Sequence, residues 1–170
     1  AFLSSCRNNV IMIRPVLILI FILSYNGTAN AAVECKGTLW NDCHGIKILT
    51  NGDKYVGGFK ENKYNGRGTY TSANGEVYIG SFKRGQRHGY GTYSYNDGSI
   101  YVGDFVDGKP HGKGSYSWKN GDTFEGEYKW GLRNGFGVFT KNSRFLSFIG
   151  LKSKKGVWID DKFKLFLKEE

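Results

Sequence analysis

The sequence predicts an all-β fold: a single-layer, elongated antiparallel sheet of stacked 23-residue β-hairpins with a short C-terminal cap. The first observation is an aromatic-x-Gly-x-aromatic pattern, which starts at Tyr55, Tyr78, Tyr101 and Phe124. The second is a Gly-x-Gly followed two residues on by an aromatic ring, which starts at Gly66, Gly89, Gly112 and Gly135. A period of this size is typical of stacked repeats, each of them one supersecondary unit.

The pattern within each unit predicts a hairpin. In the first unit, 55–60 forms one strand, 61–65 is a polar connection, and 66–73 forms a second strand rich in Thr and Tyr. Asn74-Gly75 follows, and Asn-Gly between β-patterned runs is a strong hairpin signal in which both residues adopt positive φ. Equivalent dipeptides at 51–52, 97–98 and 120–121 predict that every strand is antiparallel to the next. The pairing stays open, because a two-residue turn pairs Tyr70 with Ile79 whereas a bulge pairs it with Tyr78.

Alternation of side chains along each strand places the recurring rings in rows. With about 4.8 Å between strands and two strands per unit, equivalent residues lie roughly 10 Å apart. Glycine in a strand marks a close approach, and we expect these glycines to accept rings from neighbouring units. In a sheet without a covering layer the rings have to stabilise the fold, so we interpret the rows as mainly structural. The rows are Tyr55, Tyr78, Tyr101, Phe124; Phe59, Phe82, Phe105, Tyr128; and Tyr70, Tyr93, Tyr116, Phe139.

The first 31 residues carry the three-part pattern of a secretory signal peptide. Met12 is the expected start, an apolar run follows at 16–23, and Ala31 ends a small-residue cleavage site. The run is shorter than the roughly 20 residues that a membrane span needs, although an uncleaved anchor is the alternative. We therefore expect upstream residues at 1–11, cleavage after Ala31, and an exported protein that is periplasmic or secreted, with peripheral membrane contact.

Removal of that segment leaves two cysteines, Cys35 and Cys43. An even pair in an exported chain predicts a disulfide, with two free thiols in a reducing compartment as the alternative. Both cysteines fall in 32–54, which we interpret as a degenerate N-terminal repeat because Gly45 and Gly52 are in register with later glycines.

Four regular repeats are predicted at 55–77, 78–100, 101–123 and 124–146, followed by a degenerate repeat and C-terminal cap at 147–170. Two interpretations of the tail stay open. Phe163, Leu165 and Leu167 alternate as a strand does, whereas Phe163, Phe166 and Leu167 fit one face of a helix.

The repeated unit, Tyr-x-Gly-x-Phe-x-x-Gly-x-x-x-Gly-x-Gly with a further Gly seven residues on, resembles the membrane occupation and recognition nexus (MORN) repeat. The marked positions are met by Gly57, Phe59, Gly85, Gly89, Gly91 and Gly98. The unit departs from the pattern at Asn62, where later units have glycine, and at Arg144. The resemblance implies a β-sheet scaffold with roles in protein–protein and phospholipid contact.

No catalytic site, metal site or cofactor is predicted. His88 and His111 stand in equivalent places, but backbones roughly 10 Å apart do not suit one zinc ion with bonds of about 2 Å. His44 beside Cys43 is a thin hint of a metal or thiol site. The Gly-x-Gly pairs lack the third glycine and the following helix of a phosphate-binding loop.

The basic residues point to anionic partners. The formal net charge is +9, which suits lipid headgroups, while nucleic acid is not expected as a partner of an exported chain. One basic residue recurs in the connection of each unit, and other lysines lie close by, so a charged edge is predicted. Its residues are Lys63, Arg87, Lys109 and Arg133, with Lys60, Lys83 and Lys129.

Together these features predict a non-catalytic repeat scaffold that binds a protein partner and an anionic membrane surface through its sheet and this basic turn edge. The alternative is a module that binds a cell-envelope polysaccharide by stacking sugars on the aromatic rows. Exposure of the rows distinguishes the two, because buried rings offer sugars no platform.

Overall fold

The structure is a computed structural model that describes residues 33–143 and 153–166; the predicted signal peptide and Leu167 lie outside these residues. The described residues contain no helix and form one open antiparallel sheet whose strands follow chain order. The predicted all-β class is confirmed. The strands are β1 (Cys43–Ile48), β2 (Lys54–Lys60), β3 (Lys63–Thr71), β4 (Val77–Lys83), β5 (Gln86–Ser94), β6 (Ile100–Val106), β7 (Lys109–Ser117), β8 (Thr123–Lys129), β9 (Leu132–Thr140), β10 (Ser153–Ile159) and β11 (Lys162–Phe166).

The tight turns lie within the units. Lys60 pairs with Lys63, so only Glu61 and Asn62 connect β2 to β3, and both have positive φ, 51° and 59°. Positive φ at both positions is the requirement of a type I′ turn, whose twist matches that of the strands. The prediction of a five-residue connection at 61–65 is therefore wrong, and β3 starts three residues earlier than expected. We call the edge of the sheet formed by these turns the turn edge.

The Asn-Gly sites are three-residue loops. The Ser72 N–H donates to the Glu76 carbonyl at 2.8 Å, so Ala73 to Gly75 form the loop. Gly75 has a φ of 92°, whereas Asn74 is not among the residues with positive φ. A type I turn followed by a left-handed glycine explains this geometry, and the prediction of positive φ at both residues is wrong. Tyr70 consequently pairs with Tyr78, not with Ile79. This opposite edge is called the loop edge.

Each hairpin contains a bulge, which explains the Gly-x-Gly pattern. Gly57 pairs with Gly68 and Phe59 with Tyr64, so Gly58 faces three residues of β3, 65–67. Gly66, in the middle of the three, has a φ of 75°, a left-handed conformation that glycine adopts without steric cost. The first glycine of the pattern therefore permits the bulge.

The second glycine has a different role, which is to hold a ring. A Cβ atom placed on Gly91 would lie 2.5–2.7 Å from ring and hydroxyl atoms of Tyr78. Since Tyr78 belongs to the same hairpin, the prediction that glycines accept rings from neighbouring units is wrong. The ring lies over its own hairpin, and its hydroxyl donates to the Ser81 carbonyl at 2.9 Å.

The core consists of these flat rings and the edge-on rings between them. Tyr78 contacts Phe82 of its own unit and Phe105 of the next, each with ring centroids 5.0 Å apart and near-perpendicular planes. Tyr101 repeats the arrangement with Phe105 and Tyr128 at 5.1 Å. Edge-to-face contact is favourable for aromatic pairs, so the rings connect successive units. We call the side of the sheet that carries these rings the aromatic face, and the other side, which carries Val56, Thr69 and Ile79, the β-branched face.

Both ends of the sheet continue the ring packing. Near β1, a disulfide joins Cys35 and Cys43, and the Trp40 ring meets Phe59 edge-on with centroids 4.6 Å apart. At the other end, Trp158 of β10 meets Phe163 of β11 at 5.2 Å. The 162–166 segment of the tail is therefore a strand, as one of its two interpretations predicted.

Successive hairpins are also joined along the turn edge. The Gly85 N–H donates to the Tyr64 carbonyl of the preceding unit at 2.8 Å, and Gly108 donates to Arg87 at 2.9 Å. Gly131 donates to Pro110 in the same way, at 2.8 Å. Each turn is thus hydrogen-bonded to the unit before it.

Candidate binding surfaces of the sheet

The predicted basic edge is divided between the two faces. Lys60 and Lys63 pair across the first turn. The neighbouring pair, Phe59 and Tyr64, lies on the aromatic face, so alternation places the two lysines on the β-branched face. The lysines at the corresponding strand ends share that face. All are exposed, and none has an ion-pair partner among the described residues. We call this set the lysine row: Lys60, Lys63, Lys83, Lys109 and Lys129.

Arg87 and Arg133 lie on the aromatic face instead. Arg87 pairs with Phe82, and its guanidinium carbon is 4.6 Å from the centre of the Tyr93 ring. Arg133 is 4.4 Å from the centre of the Trp158 ring, and its Nε lies 2.9 Å from Oδ1 of Asp161. The predicted basic residues all lie at the turn edge, but these arginines and the lysines face opposite sides of the sheet. Because the turn has only two residues, the positions that carry the basic residues already lie within the following strand. Adjacent positions of a strand point to opposite faces, so basic residues at adjacent positions of the repeat are separated.

An exposed tryptophan lies in the turn next to Lys129, the last member of the lysine row. Trp130 occupies the first position of a type I′ turn with a φ of 52° and is 51% exposed. A bulky side chain is rare in this backbone region. One ring edge contacts His111, with centroids 4.9 Å apart, and Leu132 beyond the turn is also exposed. The turn edge therefore combines cations with exposed apolar groups.

The β-branched face remains open to solvent. A cross-strand row runs from Val56 through Thr69 to Ile79, and Ile79 is 58% exposed. A neighbouring row carries Arg67 and Tyr90, of which Tyr90 is 64% exposed. This side of the sheet contributes no ring to the core.

The aromatic face has an open cleft of about 430 Å³ near the first two units. Asp53 is buried at its rim and accepts hydrogen bonds from the Tyr70 hydroxyl, the Ala73 N–H and the Asn51 amide. These bonds, that of Tyr70 first, lower the pKa of Asp53 to about 2. Burial, and then the bond to Asp53, raises the pKa of Tyr70 to about 12. The pair therefore holds one charged acceptor and one neutral donor at neutral pH.

The three predicted rows differ in exposure. Tyr55 and its equivalents are fully or almost fully buried, and Phe59 and its equivalents are at most 7% exposed. The third row, Tyr70, Tyr93, Tyr116 and Phe139, is only partly buried. The structural interpretation of the first two rows agrees with this packing, and only the third row still offers a platform.

Two further rings extend the third row. Tyr95 and Trp118 stand just beyond β5 and β7, where the first unit has Ser72. Tyr95 lies 4.5 Å from Tyr93 between ring centres, and Trp118 lies 4.7 Å from Tyr116. Sequence reasoning missed both because the position is not aromatic in every unit, although comparison of the units position by position would have found them.

Within the described residues, no group of three or more His, Cys, Asp or Glu side chains is placed to hold a metal ion. His88 and His111 sit at the bulges, where His111 contacts the Trp130 ring. Within 33–143 and 153–166, no helix is long and apolar enough to cross a membrane.

Comparison with protein families gives the decisive match. The model of the MORN repeat matches four consecutive segments, 55–77, 78–100, 101–123 and 124–143, which together cover just over half of the chain. The chain belongs to the MORN repeat family. A comparison with curated proteins finds no match.

MORN repeats are protein- and membrane-binding modules and are generally non-catalytic. In this MORN protein the shared positions are used by the fold: Tyr78 and Phe82 form core, Gly89 permits the bulge and Gly91 holds a ring. The positions that differ between the repeats are not part of this shared packing.

Proposed function

We propose that this MORN protein is a non-catalytic scaffold that lies on an anionic membrane by its lysine row and presents its sheet to a protein partner. The observation that carries the proposal is the lysine row itself. Its five exposed cations follow one face of the turn edge through four hairpins, and none of them forms an ion pair with a described residue. A lysine near an anionic surface contributes about 1 kcal/mol.

The apolar groups beside the lysines support the same orientation. Trp130 and Leu132 are exposed at the turn next to Lys129. Tryptophan is favoured at the membrane–water interface, where one side of the ring is apolar and the other meets headgroups. The type I′ turn does not favour such a side chain, and about half of the ring, beyond its contact with His111, is open to an interfacial contact.

A protein partner has two open surfaces to bind. With the turn edge on the membrane, both the β-branched face and the third aromatic row stay accessible. The β-branched face carries exposed apolar side chains, Val56, Ile79 and Tyr90. Aromatic residues are enriched in the cores of protein interfaces, which favours Tyr90 as a contact.

Export remains part of the proposal. The disulfide between Cys35 and Cys43 supports it, because such bonds persist in oxidising compartments and are rare in the cytosol. Thiol alkylation and mass measurement of protein from each cell fraction test it. Free thiols in the native protein would count against export.

Co-sedimentation with vesicles tests the membrane contact. We compare Lys60→Glu/Lys83→Glu/Lys129→Glu with a control of equal charge change at the loop edge, Lys54→Glu/Lys119→Glu/Lys141→Glu. Loss of three contacts lowers affinity for anionic vesicles by roughly 100-fold, and raised salt weakens wild-type binding. Equal losses in both variants, or binding that salt leaves unchanged, would contradict the lysine row as the contact.

A further inference from the structure

Five partly buried rings form a continuous strip on the aromatic face at the loop edge. The ring-centre distances are 4.5 Å from Tyr93 to Tyr95, 5.6 Å from Tyr95 to Tyr116, 4.7 Å from Tyr116 to Trp118 and 5.6 Å from Trp118 to Phe139. We call this set the ring strip. It lies on the opposite face and the opposite edge from the lysine row.

The ring strip is more than the fold requires. The strip packs against the buried rings of the first two rows, but the first unit is folded with Ser72 at the position of Tyr95 and Trp118. In the last regular unit the position holds Lys141. The two middle units have therefore added large, partly exposed rings where a small or charged residue suffices.

The hydroxyl groups along the strip differ between units. In the earlier units the third-row hydroxyls are occupied, since Tyr70 donates to Asp53 and Tyr93 donates to Glu76 at 2.7 Å. The equivalent residue for Tyr116 is Ser99. The Ser99 hydroxyl is buried without a hydrogen-bond partner, and the Tyr116 hydroxyl has none among the described residues. Ser99 is only 1% exposed, so the Tyr116 hydroxyl is the polar group that the middle of the strip offers a ligand.

Charged groups contact the strip towards its two ends, and at one end Glu76 accepts the hydrogen bond of the Tyr93 hydroxyl. Arg87 stacks on Tyr93, and Arg133 lies 5.8 Å from the centre of the Trp118 ring and pairs with Asp161. No charged side chain belongs to the strip itself. Burial raises the pKa of Tyr95 to about 12, so its hydroxyl remains neutral. The surface suits an uncharged ligand that combines apolar faces with hydroxyl groups.

We propose that the ring strip binds a linear, uncharged polysaccharide. The C–H faces of sugar rings stack on aromatic rings, and the hydroxyls at their edges can form hydrogen bonds with tyrosine hydroxyls. Equivalent rings of successive units lie roughly 10 Å apart, about the length of a disaccharide in a β-1,4-linked chain. An extended peptide fits less well, because β2 to β10 are each paired on both sides and offer no free backbone for strand addition.

The test measures binding of two soluble hexasaccharides, β-1,4-linked glucose and β-1,4-linked N-acetylglucosamine, by calorimetry. The variant Tyr95→Ser/Trp118→Ser restores the residue that the first unit already has at this position. Its matched control, Tyr90→Ser/Phe136→Ser, removes two exposed rings from the β-branched face. We expect the strip variant to weaken binding by at least about tenfold and the control to leave it unchanged.

A conservative change separates stacking from folding. Trp118→Tyr keeps a ring in place and should retain most of the affinity, whereas Trp118→Ser loses it. Wild-type protein that binds neither sugar overturns the proposal, as does equal loss in the strip variant and the control. The outcome is independent of vesicle binding, because the two surfaces share no residue.

Discussion

The aromatic face and the β-branched face belong to the same strands, but only the first of them is a core. Phe105 on the aromatic face is 2% exposed, whereas Ile79 on the β-branched face is 58% exposed. A sheet normally buries one face against a second layer, and the described residues contain none. Here flat tyrosines cover glycines of their own hairpins, and phenylalanines fill the spaces between them. The sheet therefore provides its own cover on one side and leaves the other side free.

Phe105→Ala gives the largest expected effect. Removing a buried ring from a tight core costs about 3–5 kcal/mol of the free energy of unfolding. Phe136→Ala makes the same change on the β-branched face, where the ring is 39% exposed, and should cost about 1 kcal/mol or less. Urea unfolding monitored by circular dichroism measures both. Similar costs would mean that the two faces do not differ as described.

Gly91→Ala comes next in size. A Cβ atom at Gly91 would displace the Tyr78 ring, and overpacking typically costs about 1–3 kcal/mol. Thr92→Ala, the adjacent residue on the other face, is the control, with an expected change within about 0.5 kcal/mol. A double-mutant cycle with Tyr78→Ala sharpens the comparison, because the cost of Gly91→Ala should shrink once the ring is absent. A cost that is independent of Tyr78 would show that backbone conformation, not ring contact, requires the glycine.

The smallest expected effect depends on pH. The pKa of Asp53 is about 2 in the folded protein and ordinarily 3.8, so its carboxylate stabilises the fold above pH 4. That contribution falls as the pH drops from about 4 to about 2. Between these values, the melting temperature of wild-type protein should approach that of Asp53→Asn. Tyr70→Phe removes the hydrogen bond that contributes most to this shift and should reduce the convergence.

The aromatic face could largely be predicted from the sequence. A fixed period and the alternation of side chains place Tyr78 and Phe82 on one side of a strand, whatever the turns are. That argument depends only on local geometry. It does not determine which group fills the space above a glycine, because the ring that covers Gly91 comes from the neighbouring strand of the same hairpin.

The same reasoning could not predict the types of the turns or the faces on which the basic residues lie. Asn74-Gly75 and Arg84-Gly85 both end in glycine shortly before a strand begins. The first belongs to a three-residue loop, whereas the second is a type I′ turn. The difference follows from the bulge opposite Gly58 and its equivalents, which a period of identical units does not reveal. The turn fixes the face of each residue that follows it. Arg87 and Lys109 therefore lie on opposite faces, although both stand close after the turn of their unit.

The hydrogen bonds from each turn to the preceding unit have a consequence for the order of assembly. Gly85, Gly108 and Gly131 all donate backward along the chain, and every strand pairs with its neighbour in sequence. A hairpin that leaves the ribosome therefore meets a finished template made from residues synthesised just before it. Folding dominated by short-range contacts is fast. The nascent chain can therefore fold one hairpin at a time, and no long segment stays unpaired until a partner distant in sequence is synthesised.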